Sequence, residues 1–252
     1  MDNGQDKSKL KFGLIGRNIS YSFSRGYFAK KFEKENLNFT YENFDLTSID
    51  KFPVIFENNP NLKGLNVTIP YKEQIIPYLD KVSKKAQKIG AVNTIRIKNK
   101  KIIGYNTDYY GFKKSITPHL TKYHKNALIL GTGGASKAIA YALEKLQIEY
   151  DFVSRNKTQK VKYQYSDLTP ELIRLYKIII NCTPVGTYPN VDQCPNIPYE
   201  GITSSHILYD LIYNPERTKF LQFGEMKGAA IINGLQMLEL QAEKSWEIWN
   251  RS

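Results

Sequence analysis

The stretch "LNVTIPYKEQ" (65–74) carries a strand to a lysine. Leu65, Val67 and Ile69 alternate with Asn66 and Thr68 as a half-buried strand requires, Pro70 stops the ladder, and Lys72 follows. Read as a helix start, that position sets an ammonium against the positive end of the helix dipole, a cost of about 0.3–1 kcal/mol. An ammonium kept there suits chemistry in which an oxygen gains negative charge and then takes a proton. Other bases are poorly placed: His119, His124 and His206 are scattered and fall in no motif. Cys182 and Cys194 have no zinc-ligand spacing, so neither a metal centre nor a Ser-His-Asp triad is expected.

A second group of residues points to a phosphate. In "LILGTGGASKAIA" (128–140), Gly131, Gly133 and Gly134 lie between a strand and a helix. Glycines there permit a tight turn and let backbone N–H groups approach a pyrophosphate at the helix N-terminus. The next strand ends in "VSRNKTQK" (153–160). An NAD site normally carries Asp or Glu about 20 residues beyond the turn, to bond the ribose 2′-hydroxyl. Ser154 and Arg155 occupy that place, with Lys157 and Lys160 near. A guanidinium there suits a 2′-phosphate that a carboxylate would repel, which favours NADP over NAD.

The elements that must position these groups follow an α/β pattern. Strands are expected at 11–16, 39–45 and 65–69, with helices between. "GAVNTIRIKNKKIIGYNTD" (90–108) reads as a hairpin of strands 92–97 and 102–105 that brings Asn93 and Asp108 to its open end. From residue 126 the pattern becomes βαβ, with short apolar runs at 126–130, 150–154, 177–181, 206–213 and 228–233 that suit a buried parallel sheet. The last helix, "GLQMLELQAEKSWEIWN", sets Leu235, Leu238, Ala242, Trp246 and Trp249 on one side. Two domains are therefore expected, divided in the polar stretch near 112–125.

Composition agrees with a globular protein. Of 252 residues 41% are hydrophobic, 18 are Tyr and 12 are Phe, enough to bury a core. No apolar run is long enough to span a bilayer, and the polar start "MDNGQDKSKL" lacks a signal-peptide core, so a soluble cytoplasmic protein is expected. The net charge of +12 is dispersed over solvated runs and would attract small anions as readily as nucleic acid.

The motifs "SYSFS", "NVTIPYK", "GAVNT", "GYNTDYYG", "GTGGASKA", "SRN", "NCTPVGTYP", "DLIYNP" and "GLQMLELQA" occur in the order of the shikimate dehydrogenase family, which the chain resembles over nearly its whole length. The resemblance implies reduction of 3-dehydroshikimate to shikimate by NADPH. It implies a substrate domain at 1–113, a Rossmann-like NADP domain at 114–234, and a last helix (235–252) packing back on the first. Lys72 and Asp108 match the catalytic pair. Ser22 and Ser24 match the serines that hold the carboxylate. Thr68, Asn93, Asp108 and Gln241 match the residues that read the ring hydroxyls, with Asn66 and Tyr213 as weaker matches. Gly131, Gly133, Gly134, Ala135, Ser154, Arg155, Asn156 and Thr183 match the cofactor positions. Tyr21, Arg25 and Thr187 stand where the family commonly has His, Pro and Met.

Each candidate also has a structural reading. Ser22 and Ser24 suit helix capping, Asp108 suits an N-cap, and Asn66 and Thr68 suit the wet face of a strand. A quinate/shikimate dehydrogenase using NAD or NADP is the nearest rival. A cofactor-binding or nucleic-acid-binding regulator without turnover is a more distant one. No metal is implied, the partner expected is a small-molecule substrate, and the chain is expected to act as a monomer or homodimer.

Overall fold

The computed structural model describes residues 9–20 and 22–251; the polar N-terminal residues and Tyr21, noted above, lie outside them. Two compact units are formed, one by the chain up to Thr107 together with the residues from Ser245 on, the other by Asp108–Lys244.

In the first unit, β1 (Leu10–Gly16), α1 (Phe23–Lys34), β2 (Phe39–Asp45), α2 (Phe52–Glu57) and β3 (Leu62–Val67) build a parallel half. After a short β4 (Lys81–Val82) and α3 (Lys84–Ile89), the hairpin β5 (Thr94–Lys98) and β6 (Lys101–Tyr105) completes a six-stranded sheet ordered β2-β1-β3-β5-β6-β4. The hairpin turns on Asn99 and Lys100, whose φ values of 52° and 61° are those of a two-residue type I′ turn matched to strand twist.

Alternation holds along β3, where Leu65 and Val67 are buried and Asn66 half-buried, but the strand ends at Val67, and Ile69, expected on the buried face, is 70% exposed. No helix starts at Lys72, however. The chain from Thr68 to Ile75 forms turns, closed by Tyr71 N–H to Thr68 O at 2.9 Å, and only a single 3₁₀ turn, Ile76–Tyr78, follows. Pro77 lacks the N–H that an α-helix over this segment would need. The dipole penalty expected at Lys72 therefore does not arise.

One side of this sheet packs Ile15, Phe52, Leu65, Tyr71, Val92 and Ile95 into a core. Its other side is aromatic: the Trp249 ring lies 4.9 Å from Phe12 and 5.2 Å from Phe28, and its Nε1–H donates to Ile95 O at 2.9 Å. Gly64 makes room for that ring, since a Cβ there would fall 2.4 Å from the indole.

The second unit opens with α4 (Asp108–Ile116). It continues through β7 (Asn126–Leu130), α5 (Gly134–Lys145), β8 (Glu149–Ser154), β9 (Val161–Gln164), α6 (Pro170–Leu175), β10 (Ile178–Asn181), β11 (Ile207–Asp210), α7 (Lys219–Met226), β12 (Ala230–Ile232) and, up to Lys244, α8 (Leu235–Trp249), whose last residues belong to the first unit. Its six strands are all parallel, ordered β12-β11-β10-β7-β8-β9. Counted from β7 this is the doubly wound order, whose direction reverses between β7 and β10. Both sheet faces are covered by apolar cores, which is why the strands read as unbroken apolar runs. Strand β9 and helices α6 and α7 were not expected from the sequence. On α8 the buried residues are Met237, Ala242, Ser245, Ile248 and Trp249, while Leu235 is 38% exposed, so the buried stripe differs from the apolar one.

Asp210 ends β11 inside this core. Its carboxylate accepts from Thr218 Oγ1 at 2.7 Å, Ile212 N–H at 3.0 Å and Asn181 Nδ2 at 3.1 Å. Burial pushes its carboxyl up to about 6, against the pull of those three donors. A folded state that holds a proton more tightly than the unfolded chain gains stability below the unfolded carboxyl range and loses it as pH rises toward 6. The stability of the natural protein relative to Asp210→Asn should thus fall by roughly 2 kcal/mol between pH 4 and pH 6.5 and stay level above, as read from urea midpoints across that range. Trp249→Ala should cost about 3–5 kcal/mol in urea unfolding, through the cavity left among Phe12, Phe28 and Gly64.

Candidate functional site

In the first unit, Ser22 occupies the N-cap position of α1 at φ −59°, ψ 126°, yet its side chain makes no capping bond. Capping therefore does not account for Ser22. Ser24 hydrogen-bonds Tyr41, whose hydroxyl is pushed far above its ordinary pKa by burial, with the Ser24 bond acting the other way. Tyr41 in turn donates to Asn66 Oδ1 at 2.9 Å. Thus Asn66, which the alternation assigns to a wet strand face, is engaged in protein contacts.

Its Nδ2 lies 3.0 Å from Ser245 Oγ, 3.3 Å from Thr94 Oγ1 and 3.2 Å from Asn93 O. Asn93 is buried at the hairpin's open end, its N–H bonded to Tyr105 O at 3.0 Å. There its Oδ1 accepts the Thr107 N–H at 2.6 Å, and its Nδ2 donates to Thr107 Oγ1 at 3.0 Å. Thr107 is the residue before Asp108. Thr68 and Lys72 are half-buried on the turn after β3, and the Lys72 carbonyl accepts from Val92 N–H at 2.7 Å, which ties this turn to the start of the hairpin. The structure therefore joins Ser24, Asn66 and Asn93 through one polar network and ties the Lys72 backbone to Val92, the residue before Asn93.

In the second unit, Asp108 is buried as the first residue of α4, where a carboxylate faces the favourable end of the dipole. Gly111, one turn later, allows α8 to approach: a Cβ there would lie 2.5 Å from Met237 O and 3.3 Å from Gln241 Cβ. The half-buried Gln241 is thereby held against the helix that Asp108 begins. Tyr213 is half-buried just beyond β11. Lys72 belongs to the first unit and Asp108 to the second.

The sheet's reversal point carries the glycine turn. Gly131 has φ +100°, a left-handed conformation that favours glycine, and its N–H is bonded to Val153 O at 2.8 Å. Across it stands Thr183, whose Cγ2 would be 3.0 Å from a Cβ at Gly131. Thr183 is fixed by Asn181, whose Oδ1 accepts from its hydroxyl at 2.6 Å and its N–H at 3.0 Å. A Cβ at Gly133 would meet nothing, and no side chain caps α5, so its first N–H groups, from Gly134 and Ala135 on, suit an anion. Ser154 ends β8, and Arg155 and Asn156 follow it exposed, with Gln164 Nε2 on β9 holding the Arg155 carbonyl at 3.0 Å. The end of β8 offers no carboxylate, so these residues fit a dinucleotide with a 2′-phosphate.

Tyr41, Thr94, Thr107, Ser245 and Asp210 were not singled out from the sequence. An acid within the apolar run "HILYDLIY" was the available signal for Asp210. Thr94 and Thr107 were marked only by standing next to Asn93 and Asp108.

Comparison with known proteins agrees with this geometry. The family profile described as the shikimate dehydrogenase substrate binding domain matches residues 14–95. A Clostridium botulinum type A protein named shikimate dehydrogenase (NADP(+)) is 40% identical over 248 residues, which span 94% of this chain and 95% of its own. The shikimate dehydrogenase crystal structure from Aquifex aeolicus is 35% identical with a TM-score of 0.86, covering 99% of this chain and 94% of that one. The Thermus thermophilus shikimate 5-dehydrogenase, solved in complex with NADP(H) and shikimate, is 30% identical with a TM-score of 0.85, covering 96% of this chain and 93% of that one. With a doubly wound second unit, a glycine turn at its reversal point and relatives this close over almost the full length, the chain belongs to the shikimate dehydrogenase family.

Proposed function

We propose that this chain catalyses the reversible, NADPH-dependent reduction of the ring ketone 3-dehydroshikimate to shikimate, a step of aromatic amino-acid biosynthesis. The buried amide bed around Asn66 and Asn93 supports the reading most. A polyhydroxylated ring is discriminated by fixed donors and acceptors, because an analogue lacking a hydroxyl leaves buried partners unpaired.

In this reading Ser22 and Ser24 hold the substrate carboxylate, and Thr68, Asn93 and Gln241 bond the ring hydroxyls, with Asn66 and Tyr213 in lesser contact. NADPH, when bound, supplies the hydride to the ketone carbon. Gly131, Gly133, Gly134 and Ala135 would hold its pyrophosphate, Ser154, Arg155 and Asn156 its 2′-phosphate, and Thr183 its nicotinamide side. Lys72 stabilises the negative charge that grows on the ketone oxygen and delivers the proton. Asp108 is its partner and orients both the lysine and a substrate hydroxyl. The reading includes a cytoplasmic location and action as a monomer or homodimer; among the described residues no helix is long and apolar enough to cross a membrane.

Shikimate-dependent NADP⁺ reduction tests the activity directly. Lys72→Met should lower kcat by about 10²–10⁴-fold while the shikimate dissociation constant stays near that of the natural protein. Near-normal turnover in that variant would remove Lys72 from the mechanism. Arg155→Ala should raise KM for NADP⁺ by about 10–100-fold and leave KM for NAD⁺ little changed, as initial rates with each cofactor would read.

A further inference from the structure

The hydroxyls of the first unit's polar network have a direction, and Ser245 is the residue that transmits it. Ser24 bonds Tyr41, Tyr41 donates to Asn66 Oδ1, and the Asn66 amide must then turn its Nδ2 toward Ser245 Oγ at 3.0 Å. Ser245 Oγ lies 2.8 Å from Thr94 Oγ1, and Thr94 donates to Asn93 Oδ1 at 3.1 Å. That oxygen also accepts the Thr107 N–H, so the Asn93 amide has its acceptor edge committed and its Nδ2 on the donor side, where one hydrogen goes to Thr107 Oγ1 at 3.0 Å. Thr94, Thr107 and Ser245 are all fully buried, and Ser245 is the polar member of the buried face of α8, among Ala242, Ile248 and Trp249. A buried hydroxyl in a helix interior is costly unless it is bonded, and this one is bonded to the Asn66 amide and to the Thr94 and Thr107 hydroxyls that contact Asn93.

We infer that Ser245 is a positioning residue for substrate recognition: by joining the Asn66 amide to the Thr94 hydroxyl, it fixes Asn93 as a hydrogen-bond donor to the substrate ring. The inference rests on the proposed activity, in which Asn93 reads a ring hydroxyl. With alanine at 245, the Thr94 hydroxyl loses its 2.8 Å neighbour and is held toward Asn93 only by the weaker contacts to Asn66 Nδ2 at 3.3 Å and Thr107 Oγ1 at 3.3 Å.

The test compares the natural protein, Ser245→Ala, Thr94→Val and the double variant by initial rates with shikimate and with the monodeoxy-shikimates that keep the oxidised hydroxyl, alongside thermal unfolding. Ser245→Ala should raise KM for shikimate about 5–10-fold with KM for NADP⁺ unchanged, and the penalty should vanish for the analogue lacking the hydroxyl that Asn93 reads. The Ser245→Ala and Thr94→Val penalties should be less than additive, since both interrupt one chain of bonds. Unchanged KM for shikimate in Ser245→Ala overturns the inference. So does an equal loss with shikimate, all its deoxy analogues and NADP⁺, which marks general loosening of the helix. A natural protein inactive with shikimate overturns the proposed activity itself, and is told apart because it appears before any variant is compared.

Discussion

A buried amide is stable in one orientation once its oxygen has been taken by a donor, and both units of this protein are organised around that constraint. In the first, Tyr41, Thr107 and Thr94 decide which way Asn66 and Asn93 face. In the second, Asp210 receives Asn181 Nδ2, which turns the Asn181 oxygen toward Thr183 beside the glycine turn. Leaving any such group unmatched costs about 1–3 kcal/mol, comparable with a large share of a domain's net stability. The Asn66, Asn93 and Asn181 amides are therefore aimed by hydrogen bonds laid down during folding, and side chains aimed in advance spare a site ordering costs at the moment of binding.

The two units use different backbones for the same purpose. The parallel sheet of the second collects strand ends at one reversal point, so that Gly131 and Thr183 meet although far apart in sequence. The first uses a mixed sheet, in which the tight turn at Asn99–Lys100 sets the register of β5 on β6. Because side chains alternate with a period of two, that register decides that Asn93 meets Thr107 and faces the polar network.

Much of this was legible in the chain itself. Apolar runs marked β1, β2, β7, β8, β10 and β11, because a strand buried on one or both faces cannot hide its composition. The glycine turn and the basic end of β8 were readable because backbone conformation and charge restrict residue type strongly there. Less legible was β9, whose "VKYQ" is a four-residue edge strand in which only Val161 is buried. The segment after Pro70 resembled a helix start, and Pro77 converted it to turns. The hydroxyls of Tyr41, Thr94, Thr107 and Ser245 were hidden for a different reason: a serine or threonine looks the same in sequence whether it meets water or a buried amide. Ser245 interrupts the apolar side of α8, and an interruption of that kind is informative only when its spatial neighbours are known.

The route of the chain through its two units has a consequence for synthesis. Trp249 and Ser245 complete the first unit's aromatic layer and its polar network, yet both come from the far end of the chain. A ribosome therefore releases the sheet β2-β1-β3-β5-β6-β4 with Gly64 uncovered and the Asn66 amide lacking one acceptor, and that state lasts while the second unit is made. Vectorial folding closes the second unit's parallel sheet first, and only then does the last helix seal the first.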